Sequence, residues 1–136
     1  MDLKILEIAS NTENNKVVIN HTHSSRHKNA MCGDTMQVSL VIKKNIIKEF
    51  GYQCKSCVYC QAAVSLLSRN AINKSTESLK NLIKITENFF EKENFTFPKE
   101  WSVFKKLFKK KNIVRKECLK LPFKTLSKAL KKWNYL

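Results

Sequence analysis

The chain has 136 residues, 43% hydrophobic and 27% charged, with 26 Lys and Arg against 11 Asp and Glu, for a formal net charge of +15. That is the length of one domain, 1–136, with enough apolar material for one core, which excludes a wholly disordered chain. Only two glycines are present and no glycine-rich phosphate motif or G-x-S-x-G elbow occurs, which removes the P-loop, dinucleotide-binding and α/β-hydrolase classes.

Leu3 to Ala9 reads as a short helix with Leu3, Leu6 and Ala9 on one side. Its acidic, amphipathic start does not look like a secretory or transit leader, and no apolar run approaches the roughly 20 residues of a membrane span. A cytoplasmic protein without a membrane partner is the expectation. Asn11 to Lys16 is a polar loop. Val17-Val18-Ile19 opens a β-rich segment expected to run past His21 and His23, and Ser24 to Ala30 reads as a turn or irregular strand. Met36, Val38, Leu40 and Ile42 alternate with Gln37 and Ser39, the period of a half-buried strand. Lys43-Lys44-Asn45 turns the chain, and Ile46 to Gln53 returns as the second arm of a hairpin.

After Cys57 the spacing becomes helical through Asn70. Ser75-Thr76-Glu77-Ser78 is a cap for a helix with Leu79, Leu82, Ile83, Thr86, Phe89 and Phe90 on one face. Asn94 to Pro98 is a connection, and Trp101, Phe104, Leu107 and Phe108 mark a short amphipathic helix. Leu119, Phe123, Leu126, Leu130 and Trp133 form the stripe of a last helix, with Pro122 expected in its first turn. The order predicts an α+β fold, a small three-stranded antiparallel sheet packed against several helices.

Five cysteines in a chain expected to be cytoplasmic point to metal or thiol chemistry rather than to a disulfide framework. They are Cys32, the run Cys54-x-x-Cys57-x-x-Cys60, and Cys118. Cys32 precedes the alternating strand, Cys57 stands at a strand-to-helix turn, and Cys118 starts the last helix. Thiolates are favoured at the positive end of a helix. With the Asp34 carboxylate, Cys32, Cys57 and Cys118 make a four-ligand set suited to Zn²⁺ or iron. The bland alternative is a set of small buried hydrophobes. Cys54 and Cys60 are extra thiols, Cys60 as a spare or an alternative ligand. His21 and His23 would share a strand face, more often a solvated surface than a second metal site.

Thirteen of the basic residues and only two acidic ones fall in 99–136. Lys105, Lys106, Lys109, Lys110 and Lys111 cluster there, and Lys120, Lys124, Lys128, Lys131 and Lys132 line the last helix. A solvated face, a dock for an acidic partner, and a phosphate-binding surface all fit. The solvated face is favoured, because Arg is rare and nucleic acid is an unlikely partner.

Three blocks make the chain recognisable: Asn29-Ala30-Met31-Cys32-Gly33-Asp34, Cys57 with Gln61-Ala62-Ala63-Val64-Ser65, and Arg115-Lys116-Glu117-Cys118. In order and spacing they resemble the iron–sulfur cluster assembly scaffold family, the NifU N-terminal or IscU/SufU type. Asn73-Lys74-Ser75 is similar to the family's G-K-S. Leu6-Glu7-Ile8-Ala9 and Ser25-Arg26-His27 are similar to a shorter, divergent branch seen in alphaproteobacteria.

The resemblance implies that Cys32, Asp34, Cys57 and Cys118 hold a transient two-iron, two-sulfur cluster, or Zn²⁺ at rest. It implies persulfide sulfur accepted by Cys32, Cys57 or Cys118 from a cysteine desulfurase, and cluster delivery to recipient apoproteins or a carrier. Such a scaffold is not an enzyme, although a zinc-dependent sulfur acceptor of the SufU type is the alternative. A basic nucleic-acid-binding module with structural cysteines is the second. The chain departs from the family pattern at Ala30 (for Pro), at Ser56 and Val58 (for Gly) and at Glu117 (for His). Lys111 to Arg115 replaces L-P-P-V-K.

Overall fold

The computed structural model describes residues 2–30, 33–91 and 96–131. Helix α1 (Leu3–Ala9) is followed by strands β1 (His23–Lys28), β2 (Thr35–Lys43) and β3 (Ile46–Lys55), then helices α2 (Val58–Ala71), α3 (Thr76–Asn88) and α4 (Lys116–Leu130). Two 3₁₀ segments, Lys99–Lys106 and Lys110–Arg115, lie between α3 and α4. The sheet is antiparallel in the order β1-β2-β3, the α+β architecture expected.

The hairpin forms where the alternation places it. Lys44 and Asn45 take φ of 52° and 63°, the left-handed pair that a two-residue hairpin turn needs. Beyond the turn Ile42 pairs with Ile47 and Val41 with Glu49, so one residue bulges and both isoleucines stay on the core face. Met36, Val38, Leu40, Phe50 and Tyr52 continue that face, all buried.

The α2–α3 connection is clipped to this hairpin. Asn73 N–H donates to the Ile47 carbonyl, Ile47 N–H to the Lys74 carbonyl and Thr76 N–H to the Asn45 carbonyl, at 2.8–2.9 Å. Asn73 does so at φ 70°, a conformation Asn tolerates better than most side chains. Ser75 then caps α3 by accepting from Ser78 N–H, as its position predicts.

Five local expectations are corrected. No strand runs through Val17–Ile19. Asn20 turns at φ 60°, Val17 and Ile19 stay exposed, and Val18 N–H is bound by Ser39 Oγ instead of a ladder. Ser24–Lys28, expected as a turn or an irregular strand, is regular strand, because it has β2 to pair with. Helix α1 buries Ile5, with Ile8 and Ala9 against the core, and leaves Leu3 and Leu6 outward. The Trp101 segment is 3₁₀, and it ends before Leu107 and Phe108. Pro122 is the seventh residue of α4, not part of its first turn, because Lys110–Arg115 runs straight into a helix that begins at Lys116. Trp133, Lys132 and Asn94 lie outside the described residues.

Helix α4 packs across β1 and β2, and Ser25 Oγ donates to the Thr125 carbonyl at 2.6 Å. Phe104 and Phe108 meet Phe123 edge-on, both at 5.6 Å between centroids, and so tie α4 to the 3₁₀ segments. On the opposite face of the sheet, residues 16–18 cross Gly51. A Cβ there would strike the Lys16 carbonyl oxygen and come within 2.8 Å of Val18 Cγ2.

Gly51→Ala is therefore expected to cost about 1–3 kcal/mol through overpacking, read as a lower urea midpoint with an unchanged m-value. A midpoint equal to the parent's would contradict the close approach. Burial also pushes the His23 imidazole below its usual range, and burial with nearby Lys128 and Lys124 does the same to His27. A depressed folded-state pKa means that the unfolded chain binds the proton more tightly. The stabilisation is thus full above the ordinary histidine pKa of 6.5 and is lost as pH falls below it. Unfolding free energy should drop from about pH 7.5 to about pH 5.5, and less steeply in His23→Gln. Parallel curves for the two proteins would remove His23 from the account.

Candidate metal centre

Three pieces of backbone meet at one end of the sheet. β2 begins at Thr35, β3 ends at Lys55, and these two residues are cross-strand partners. Asp34 therefore leaves the sheet beside Ser56 and Cys57, and Cys57 N–H donates to Asp34 Oδ2 at 3.4 Å. The loop ahead of Asp34 is closed by Asn29 N–H to the Asp34 carbonyl and Gly33 N–H to the Asn29 carbonyl, both at 2.8 Å. Gly33 sits at φ 76°, a region glycine enters without a Cβ penalty. Cys32 belongs to this loop but lies outside the described residues.

Cys57 is the N-cap of α2. Its backbone is extended, its carbonyl accepts from Gln61 N–H at 3.0 Å, and its side chain makes no capping hydrogen bond. Cys118 is the third residue of α4. The Arg115 guanidinium lies over the Tyr59 ring, 5.5 Å from its centroid, and so holds the start of α4 against the start of α2. Two positive helix ends are thereby brought to one place, which suits anionic donors.

Cys57 Sγ, Cys118 Sγ and a carboxylate oxygen of Asp34 all lie within 4.8 Å of one another. Ligands about 2.0–2.3 Å from a tetrahedral Zn²⁺ are separated by about 3.3–3.8 Å, so a small contraction would close this set. Cys118 is buried, while Asp34 and Cys57 are partly exposed. Two soft thiols and one hard carboxylate suit zinc or iron better than calcium or magnesium. Three of the four expected ligand residues thus converge.

The extra thiols are outside that set. Cys60 is fully buried, and burial pushes its thiol far up, with the Ser56 hydroxyl opposing. Cys54 is half-buried and also raised by burial, Ser56 again opposing. His21 and His23 do not share a strand face, because β1 begins only at His23; they bond Val18 and Thr22 instead. Burial pushes the Glu117 carboxyl up, but Lys124, at 3.1 Å, outweighs it and holds the carboxyl below its usual range.

The basic face is less free than its sequence suggests. Lys116 and Lys120 reach Glu91, Lys124 reaches Glu117, Lys111 reaches Asp2, and Lys128 donates to the Arg26 carbonyl. Lys120 is itself buried, so it is not part of a solvated stripe. Among the described residues, no helix is long and apolar enough to cross a membrane. The Arg115–Tyr59 clamp escaped the sequence reading, since nothing local links residues so far apart.

The profile of the NifU-like N terminal domain matches residues 2–134. The chain is 32% identical over 105 residues to the iron-sulfur cluster assembly scaffold protein IscU of Thermotoga maritima, spanning 77% of this chain and 74% of that one. Among solved structures it is similar to the N-terminal nitrogen-fixing NifU-like protein from Brucella abortus. The TM-score is 0.86 at 21% identity, over 96% of this chain and 91% of that one. It is also similar to the putative iron-sulfur cluster assembly scaffold protein for the SUF system from Fervidobacterium islandicum AW-1. There the TM-score is 0.88 at 21% identity, over 96% of both chains. These likenesses carry the fold. The profile match and the Thermotoga relative carry the family: the chain belongs to the NifU N-terminal, IscU-type family of iron–sulfur cluster assembly scaffolds.

Proposed function

We propose that this protein receives iron and sulfur at one end of its sheet, assembles a two-iron, two-sulfur cluster there, and hands it on. The carrying observation is the convergence of Asp34, Cys57 and Cys118, three donors from three separate elements, at two helix N-termini. Cys32, from the loop that ends at Asp34, is the fourth ligand in this reading. Thiolates bind the cluster irons strongly, while the carboxylate is a harder and weaker partner. A mixed set of this kind favours release, which a scaffold requires. In the resting protein the same donors hold Zn²⁺.

The sulfur comes from a cysteine desulfurase as a persulfide, accepted first by the partly exposed Cys57. The recipients are apoproteins or a carrier. The same donor set also serves a zinc-dependent sulfur acceptor, and the two readings part on whether a cluster forms.

Loading should separate ligands from bystanders. The parent is expected to bind close to one zinc per chain, and to develop cluster absorption with ferrous iron and inorganic sulfide without oxygen. Cys32→Ser, Asp34→Ala, Cys57→Ser and Cys118→Ser should each lose most of the bound metal, whereas Cys54→Ala and Cys60→Ala should retain it. Zinc binding without any cluster would favour the sulfur acceptor. Failure of the folded parent to take up either metal would overturn both.

A further inference from the structure

Cys60 is a thiol that the metal site does not use. It stands three residues after Cys57 at the start of α2, so the two occupy the N-cap and third positions of one helix. In a capping box each of these two positions brings its side chain to the backbone N–H of the other. Residues three apart on a helix have Cα atoms about 5 Å apart, inside the window a disulfide needs. The Cys57 side chain is not engaged in capping, and both residues pack into the same core cluster.

The two thiols differ in access. Cys57 is partly exposed and Cys60 is fully buried. An external reagent can reach the first and not the second. This is the division between an attacking and a resolving thiol in a C-x-x-C dithiol at a helix N-terminus. Here the outer thiol is also the proposed sulfur acceptor.

From this geometry we infer that Cys57 and Cys60 form a redox dithiol that converts a persulfide on Cys57 into free sulfide, with Cys60 as the resolving thiol. The inference rests on the reading of Cys57 as a sulfur acceptor. In the first step a persulfide donor R–S–SH and the Cys57 thiol give R–SH and Cys57–S–SH. In the second, Cys60 sulfur attacks the Cys57 sulfur attached to carbon, and the outer S–S bond breaks. A Cys57–Cys60 disulfide forms and the terminal sulfur leaves as H₂S with both protons. The two electrons that reduce the sulfane sulfur come from the pair of thiols. Two low-molecular-weight thiols restore the dithiol and leave as their own disulfide.

The sulfur is thereby released at sulfide level beside the donors that take up iron. Cys54 lies on β3, outside the helix turn that carries Cys57 and Cys60, and has no part in the step.

The test uses the full-length chain, freed of metal with a chelator, and one equivalent of glutathione persulfide without added reductant. The parent is expected to release nearly one sulfide per chain and to lose two hydrogens, with the linkage mapped by peptide mass to Cys57 and Cys60. Cys60→Ala, checked for native circular dichroism, should gain one sulfur on Cys57 and release about tenfold less sulfide. Cys54→Ala should behave as the parent. If Cys60→Ala carries the extra sulfur on Cys57 while the parent does the same and releases no sulfide, the dithiol is overturned and the acceptor stands. A disulfide mapped to Cys54 instead of Cys60 also overturns it. If no variant takes sulfur on Cys57, the acceptor reading fails and the dithiol fails with it. The parent's mapped linkage decides the matter even if Cys60→Ala does not fold.

Discussion

Thr35 and Lys55 face each other where β2 begins and β3 ends, and the whole donor site depends on that register. A slip of one residue would turn every side chain of β3 to the other face of the sheet. Asp34 would then lose Cys57 N–H, and Tyr52 and Phe50 would leave the core. Two features at the far end of the hairpin hold the register. One is the left-handed pair Lys44 and Asn45; the other is the bulge that keeps Ile42 and Ile47 on the buried face. The α2–α3 connection then bonds to the hairpin backbone at Asn45 in the turn and at Ile47 at the start of β3. Chemistry at one end of the sheet is therefore set by hydrogen bonds at the other.

The third donor arrives by a different physical route. Cys118 is brought in by helix packing, through Phe123 against Phe104 and Phe108 and through Ser25 against Thr125. The Arg115–Tyr59 contact then fixes how the start of α4 meets the start of α2. Hydrogen-bonded register and aromatic packing thus each place one side of the same small site. Burial divides the labour among the thiols gathered there. Cys57 keeps access to water, Cys118 is enclosed beside it, and Cys60 is sealed beneath the first turn of α2.

The charge of the chain is handled locally. Much of the basic excess follows residue 99, yet several of those lysines reach a carboxylate or a backbone carbonyl. Such exposed pairs contribute little stability individually. Their effect is to orient long side chains, and Lys120 lies along the protein with its ammonium near Glu91.

The strong local signals were readable in the sequence alone. Alternation from Met36 to Ile42, the Asn45 turn, helical spacing after Cys57 and the Ser75 cap each depend on neighbours within a few residues. The three cysteine-bearing blocks also carried the family. Tertiary structure decided the rest. Val17 and Ile19 have the composition of a strand but no strand beside them, so they stay exposed. Ile5 rather than Leu3 or Leu6 is buried, because α2 meets only one side of α1. Pro122 lies inside α4 because the preceding 3₁₀ turn starts that helix early. The spacing of the cysteines named the candidate ligands, but only the fold could bring Asp34, Cys57 and Cys118 within 4.8 Å, since residues so distant in sequence meet through packing rather than local geometry.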